Sequence, residues 1–200
     1  MLKTTKMLQE ELSSYGAPKN KIARMVRDGE LTRIVKGLYE TDASTPPEYL
    51  AASIYGPSYV SFEYALTRHS MIPEAARVVT SATFEKGKAK CYNTPFGTFT
   101  FRDVPSSAFP WGIDTVVEGR YAYRIATPEK ALCDTLWLCP PVANYRELET
   151  LLFDDLRLEP SMVHSLDTQG IAYLAKQYRS TTICKLAKYL KRKTRHELHP

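Results

Sequence analysis

The sequence predicts an α+β protein. A small helix-and-hairpin unit occupies residues 1–42, and a mixed α/β domain ending in helices occupies 43–200. Helical spacing with clear stop signals fills residues 2–28. Alternating β-branched and aromatic runs take over between 78 and 125, and helical spacing returns from Thr127 onward. At 200 residues, folding buries about 70% of the unfolded surface, enough for a core without disulfides. Hydrophobic residues at 44% and charged residues at 24% exclude wholesale disorder.

The first element is expected to be a helix from Leu2 to Tyr15, with Leu2, Met7, Leu8 and Leu12 as a loose apolar stripe and Gly16 as its stop. A second runs from Pro18 to Asp28 and ends at Gly29. Ile22, Met25 and Val26 fall on one side of it, and Asn20, Lys21, Arg24 and Arg27 largely on the other. Leu31 to Val35, a Lys36-Gly37 turn and Leu38-Tyr39 then read as a short hairpin with a basic tip. Helices followed at once by a small basic hairpin are the winged form of a helix-turn-helix. Asn20 and Arg24 are the expected base readers, since Asn favours adenine and Arg favours guanine. Lys19, Lys21, Arg27, Arg33 and Lys36 are the expected phosphate contacts on double-stranded DNA. Two long helices stand where the winged fold has three, so either the first segment is split or the unit is abbreviated. The alternative is a protein-contact module, because fold does not dictate function.

Thr41 to Pro47 (TDASTPP) is a polar, proline-bearing boundary. Glu48 to Tyr55 reads as a helix with Leu50, Ala51 and Ile54 inward, and Ser61 as the N-cap of another through His69. Strands follow over Val78–Thr83, Thr98–Arg102, with Phe99 and Phe101 on one face, and Tyr121–Ile125. Thr127-Pro128-Glu129 starts a helix that Pro140-Pro141 stops. Asn144–Leu156 is expected as an amphipathic helix, Pro160–Leu166 as a shorter one, and Ile171–Tyr178 as a third behind Gly170. A last helix, capped by Thr181 or Thr182, runs to about Lys193 with Ile183, Leu186, Ala187 and Leu190 inward.

Several of these segments carry a resemblance. The wing GELTRIVKGLY (29–39), the string YVSFEYALTRHSMIPE (59–74) followed by VTS (79–81), TPFGTF (94–99) and IATPEKALCD (125–134) together resemble the AbiEi family. These are antitoxins of abortive-infection, type IV toxin–antitoxin systems. The resemblance spans about residues 18 to 135 and rests on the order and spacing of its pieces. It implies a transcriptional repressor of its own operon, binding inverted repeats in the promoter, with an N-terminal winged helix-turn-helix and a C-terminal domain that counters the toxin. It implies a nucleotidyltransferase-like toxin as functional partner, without a stable complex. The family's DNA-contact elements fall on Pro18–Asp28 and Thr32–Leu38.

Charge is split along the chain. Residues 1–40 balance at +3, 41–160 at −4 and 161–200 at +6, as expected of two surfaces that meet a polyanion. In the last helix Lys185, Lys188, Arg192 and Arg195 form a basic stripe, with no acid between Gln169 and His196. Phosphate contact and a solvated basic terminus are the two readings of that stripe. No catalytic constellation is evident, so no enzyme is expected. His69, His164, His196 and His199 are scattered, and there is neither a phosphate-binding nor a dinucleotide glycine loop. Cys133-Asp134 with His69 reads as core rather than nucleophile, and Glu129-Lys130 as a helix start rather than a nuclease pair. Four cysteines in no dense framework, no long apolar run and a charged N-terminus lead us to expect a cytoplasmic protein with no membrane contact, cofactor or metal.

Overall fold

Alternating side chains in the middle of the chain build one six-stranded mixed sheet, which meets the N-terminal unit at one end. The computed structural model describes the backbone of residues 1–198 and the side chains of residues 1–193. The N-terminal unit comprises β1 (Leu2–Thr4), α1 (Thr5–Glu11), α2 (Pro18–Arg27), β2 (Thr32–Val35) and β3 (Leu38–Glu40). The helix expected from Leu2 instead begins at Thr5, behind an extended strand. β1 pairs antiparallel with β3, Leu2 against Glu40 and Thr4 against Leu38, to give the order β1-β3-β2. Thr4 then caps α1 by accepting the Met7 N–H. Helical spacing in the sequence is overridden here because β3 offers a free edge some 35 residues away in the chain. The Met1 ammonium also pairs with the buried Glu40 carboxylate, whose Oε1 accepts the Thr41 N–H at 2.8 Å and the Asp42 N–H at 3.1 Å.

A small core holds this unit together: Leu8, Ile22 and Leu31 are buried, with Leu12, Met25, Val26 and Tyr39 packed against them. Ile34 and Leu38 turn away from it and join the main core. The hairpin is thus a bridge between two hydrophobic clusters. Its two-residue tip places Gly37 at φ +87°, the left-handed region that glycine enters without strain. The segment after it is tied down: Thr45 is buried and its hydroxyl lies 3.3 Å from that of Tyr121.

A 3₁₀ turn (Pro47–Tyr49) and α3 (Ala51–Ile54) lead into β4 (Tyr59–Val60) and α4 (Phe62–Arg68). They are followed by β5 (Val78–Thr83), β6 (Lys90–Thr94), β7 (Gly97–Asp103), β8 (Ile113–Glu118) and β9 (Tyr121–Ala126). The sheet runs β6-β7-β5-β4-β9-β8, parallel at β5/β7 and β4/β9 and antiparallel elsewhere. The strands read from the sequence, β5, β7 and β9, are three of its four inner ones; the fourth, β4, is two residues long and shows no alternation to read. β6 and β8 sit at its two ends, where polar residues break the apolar alternation. Phe99, Phe101 and Tyr123 share one face, where Tyr49 and Tyr55 pack with ring centroids 5.2 Å from Tyr123 and 5.3 Å from Phe101.

Ser61 holds the cap position of α4 but does not cap it. Its hydroxyl donates to Asp134 Oδ2 at 2.6 Å, and Thr80 on the neighbouring strand accepts the Tyr64 N–H in its place. Asp134 lies on α5 (Pro128–Leu138), which Thr127 caps and Pro128 opens as expected. One helical turn earlier stands Lys130, and both side chains are wholly buried, with Nζ 3.1 Å from Oδ1. Around this pair Tyr59 donates to Oδ2 at 3.0 Å and Tyr178 donates to Oδ1. Lys130 donates to Tyr178 and to the Ala108 carbonyl at 2.9 Å. Gly112 presses on the stem of Lys130, where a Cβ would approach to 2.9 Å.

The C-terminal helices are α6 (Tyr145–Glu149) with a π-helical continuation (Thr150–Asp155), α7 (Pro160–His164), α8 (Thr168–Tyr178) and α9 (Thr181–Leu198). Of these, α8 and α9 pack on α5, and α6 and α7 pack on α9. The single helix expected over 144–156 therefore changes its winding at Thr150. Gly170 lies inside α8, not before it, because Asp167 caps by accepting the Gln169 and Gly170 N–H groups. Neither Thr181 nor Thr182 caps α9. The Ser180 hydroxyl accepts the Ile183 N–H, and the buried Thr182 hydroxyl accepts that of Val142.

Asp134→Ala is expected to cost about 3–5 kcal/mol in urea unfolding, because Lys130 loses its buried counter-charge. Glu74→Ala, which breaks the exposed pair with Arg157, is expected to change stability by less than about 1 kcal/mol. Alkaline pH supplies a second check. Burial foremost, then the Asp134 charge, pushes the Tyr59 and Tyr178 hydroxyls above the usual value of 10.0. Burial, with the Glu48 hydrogen bond next, does the same to Tyr64. Such groups keep their protons when the unfolded chain has lost them, so their stabilisation is complete below about pH 10 and declines as pH rises beyond it. Burial lowers Lys130, which opposes this trend, but it is one group against three. The melting temperature is expected to fall above about pH 10, and to fall less steeply in Tyr178→Phe.

Candidate nucleic-acid interface

α2 is anchored through Ile22, and its opposite face is basic. At about 100° per residue, Asn20, Arg24 and Arg27 all lie within about 40° of the point opposite Ile22. All three side chains are exposed. Lys19 and Lys21 flank them on either side of the first turn. Lys19 is exposed, whereas Lys21 is half-buried with Nζ 5.9 Å from the centre of the Tyr15 ring. Arg27 directs Nε to Asp28 at 3.1 Å, a surface pair that steadies the guanidinium without neutralising its neighbours. On the hairpin Arg33 is exposed on β2, and Lys36 is exposed at the tip.

The register of that hairpin is held from below. The Thr5 N–H donates to the Gly37 carbonyl at 2.9 Å, which seats the start of α1 on the turn. A bulge between Arg33 and Val35 breaks the β2–β3 ladder. Six cations thus stand on α2 and its adjoining hairpin, against three acids, Asp28, Glu30 and the buried Glu40.

α9 bears the second basic surface. Ile183, Leu186 and Leu190 are buried, Ala187 is half-buried, and Tyr189 joins the core as well. Lys188 and Arg192 are exposed and Lys185 is half-buried. Arg195, counted in the stripe, lies outside the residues whose side chains are described, as do His196 and His199. The stretch free of acids in the sequence gains one in space: Glu149 of α6 lies 3.9 Å from Lys193 and accepts the Tyr189 hydroxyl at 2.9 Å. Arg192 stacks over Tyr145 at 5.2 Å, and the four side chains Tyr145, Tyr189, Arg192 and Lys193 line a cavity of about 350 Å³. No sequence spacing links Tyr145 to Arg192. Only the packing of α6 on α9 does so.

The other chemistry-bearing residues are dispersed. Cys133 is buried within α5, where burial pushes its thiol well up, and His69 donates Nε2 to the Ala126 carbonyl at 2.7 Å. Glu129 accepts the Asp167 N–H at 3.0 Å, joining α5 to the start of α8. Sequence reasoning weighed Lys130 only as a partner of Glu129. Its true partner, Asp134, was visible as a Lys–Asp pair at i,i+4 among apolar neighbours. Among the described residues no group of three His, Cys, Asp or Glu is placed to hold a metal ion, and no helix is long and apolar enough to cross a membrane.

Comparison with protein-family models and with curated proteins finds no match to this chain.

Thiol accessibility checks the placement of the cysteines. Cys91 and Cys184 are exposed, Cys139 is half-buried and Cys133 is buried. A disulfide reagent is expected to titrate Cys91 and Cys184 rapidly in the native protein and to reach Cys133 only in denaturant. Fast reaction of Cys133 would place α5 wrongly.

Proposed function

We propose that this chain is a DNA-binding autorepressor and antitoxin of the AbiEi kind, acting in the cytoplasm against a nucleotidyltransferase-like toxin. Residues 1–42 work as a winged helix-turn-helix, and residues 43–200 form the antitoxin domain. The observation that carries this reading is the exposed face of α2, where Asn20, Arg24 and Arg27 project opposite Ile22, with Arg33 and Lys36 on the adjoining hairpin. α2 lies in the major groove, where Asn20 and Arg24 read base edges. Lys19, Lys21, Arg27, Arg33 and Lys36 hold phosphates on both sides, and Lys185, Lys188 and Arg192 of α9 extend the footprint. Repression follows by occlusion, as inverted repeats in the promoter of its own gene are covered. No metal or cofactor enters the reading.

The test is a fluorescence-anisotropy titration with DNA from upstream of the gene against scrambled DNA, at two or more salt concentrations. A preference of about 10³-fold or more is expected. Arg24→Ala is expected to cost about 1–3 kcal/mol on the cognate site and less on scrambled DNA. Lys36→Ala is expected to weaken both alike and to reduce the salt slope by about 1. Equal losses on both DNAs for Arg24→Ala overturn its role as a reader. An Arg24→Ala protein that loses repression yet still protects cells from the toxin assigns toxin neutralisation to the second domain. Weak, equal binding to all DNA favours a protein-contact antitoxin module instead.

A further inference from the structure

β8 stands at one end of the six-stranded sheet. β9 occupies its inner side in unbroken register, from Ile113 opposite Ala126 to Glu118 opposite Tyr121. Among the described residues no strand pairs with its outer side. The other end is covered differently, since β6 lies against β2. Natural sheets blunt a free edge with lysine, proline, a bulge or a very short strand. β8, with the sequence IDTVVE, is six residues long and has no lysine, proline or bulge; its only charges are Asp114 and Glu118, which leave residues 115–117 uncharged. Val117 on it is 69% exposed.

We infer that this edge pairs antiparallel with the same strand of a second copy, about a two-fold axis through Thr115. The strand's own residues select that register. A two-fold axis perpendicular to the sheet keeps each face on its own side, so odd residues meet odd ones and the axis falls on a residue. An axis on Val116 sets Asp114 against the second copy's Glu118 twice, and like charges directly opposite are destabilising. Axes on Asp114 or Val117 leave three paired residues on each strand. The axis on Thr115 pairs residues 113–117 in full. Ile113 then faces Val117 of the second copy, and Val117 faces its Ile113. Thr115 meets Thr115, and each Asp114 lies opposite a Val116. The exposed valine is covered, a Thr–Thr pair sits at the centre, and no carboxylate faces another.

The result is a continuous twelve-stranded sheet across the dimer, two sheets of six joined edge to edge. Strand pairing alone buries less than the roughly 1,200 Å² of a standard interface, so a dissociation constant of about 1–100 μM is expected. The inference does not depend on the DNA-binding reading, and its test contains no DNA.

Sedimentation velocity of the full chain from about 1 to 200 μM is expected to show reversible dimerisation, and Val117→Lys is expected to abolish it while leaving the melting temperature within about 2 °C. In a Cys91→Ser, Cys184→Ser background, Thr115→Cys is expected to form a covalent dimer under mild oxidation. Val117→Cys is expected not to, since the two 117 positions then stand about 14 Å apart along the strands. A monomer throughout the range, a dimer indifferent to Val117→Lys, or cross-linking at 117 rather than 115 overturns the proposal.

Discussion

Everything in the larger domain converges on one buried ion pair. Lys130 and Asp134 face each other inside α5 with no exposed surface, and a charge held there without partners would be far less stable than in water. Each partner of that pair comes from a different element. Tyr59 belongs to a central strand, Ser61 to the start of α4, Tyr178 to the end of α8, and the Ala108 carbonyl to the loop before β8. Satisfying the charges therefore requires sheet, helix pair and loop to be assembled together. Any packing that separates these elements strands a buried charge.

The N-terminal unit obeys a different constraint. Three buried residues are too few to make an independent core, as expected for about forty residues. The hairpin resolves this by using both of its faces. Tyr39 closes the small cluster, while Ile34 and Leu38 enter the large one. α2 is consequently held at one remove from the main domain, pinned through Ile22, with its far side left to solvent. A helix held in this way can carry a dense set of cations, because none of them has to be buried.

The two basic surfaces differ in their surroundings. On α2, Lys19, Arg24 and Arg27 are exposed, Lys21 is half-buried beside Tyr15, and the one acid paired with them is Asp28. On α9 they are interleaved with Tyr145, Tyr189 and Glu149, so part of their charge is already engaged within the protein. Screening by salt acts fully on the first and less on the second, which is partly sheltered by aromatic rings.

Local chemistry was legible in the sequence wherever it acts within a few residues. Pro18 and Gly29 bounded α2, Lys36-Gly37 made the hairpin tip, Thr127-Pro128 opened α5, and the alternation of Phe99 and Phe101 marked a central strand. The separation of Ile22 from Asn20, Arg24 and Arg27 followed from helical geometry alone. What the sequence did not disclose depends on groups far apart in the chain. Leu2–Thr4 became a strand because β3 had a vacant edge, and Ser61 lost its cap role because a carboxylate seventy-three residues later competed for its hydroxyl. Glu149 came to rest beside Lys193 through helix packing. Period, propensity and capping are short-range and are written in the order of residues. Edge pairing and charge burial are settled by whichever partner the folded chain brings beside the group, and only the tertiary structure names that partner.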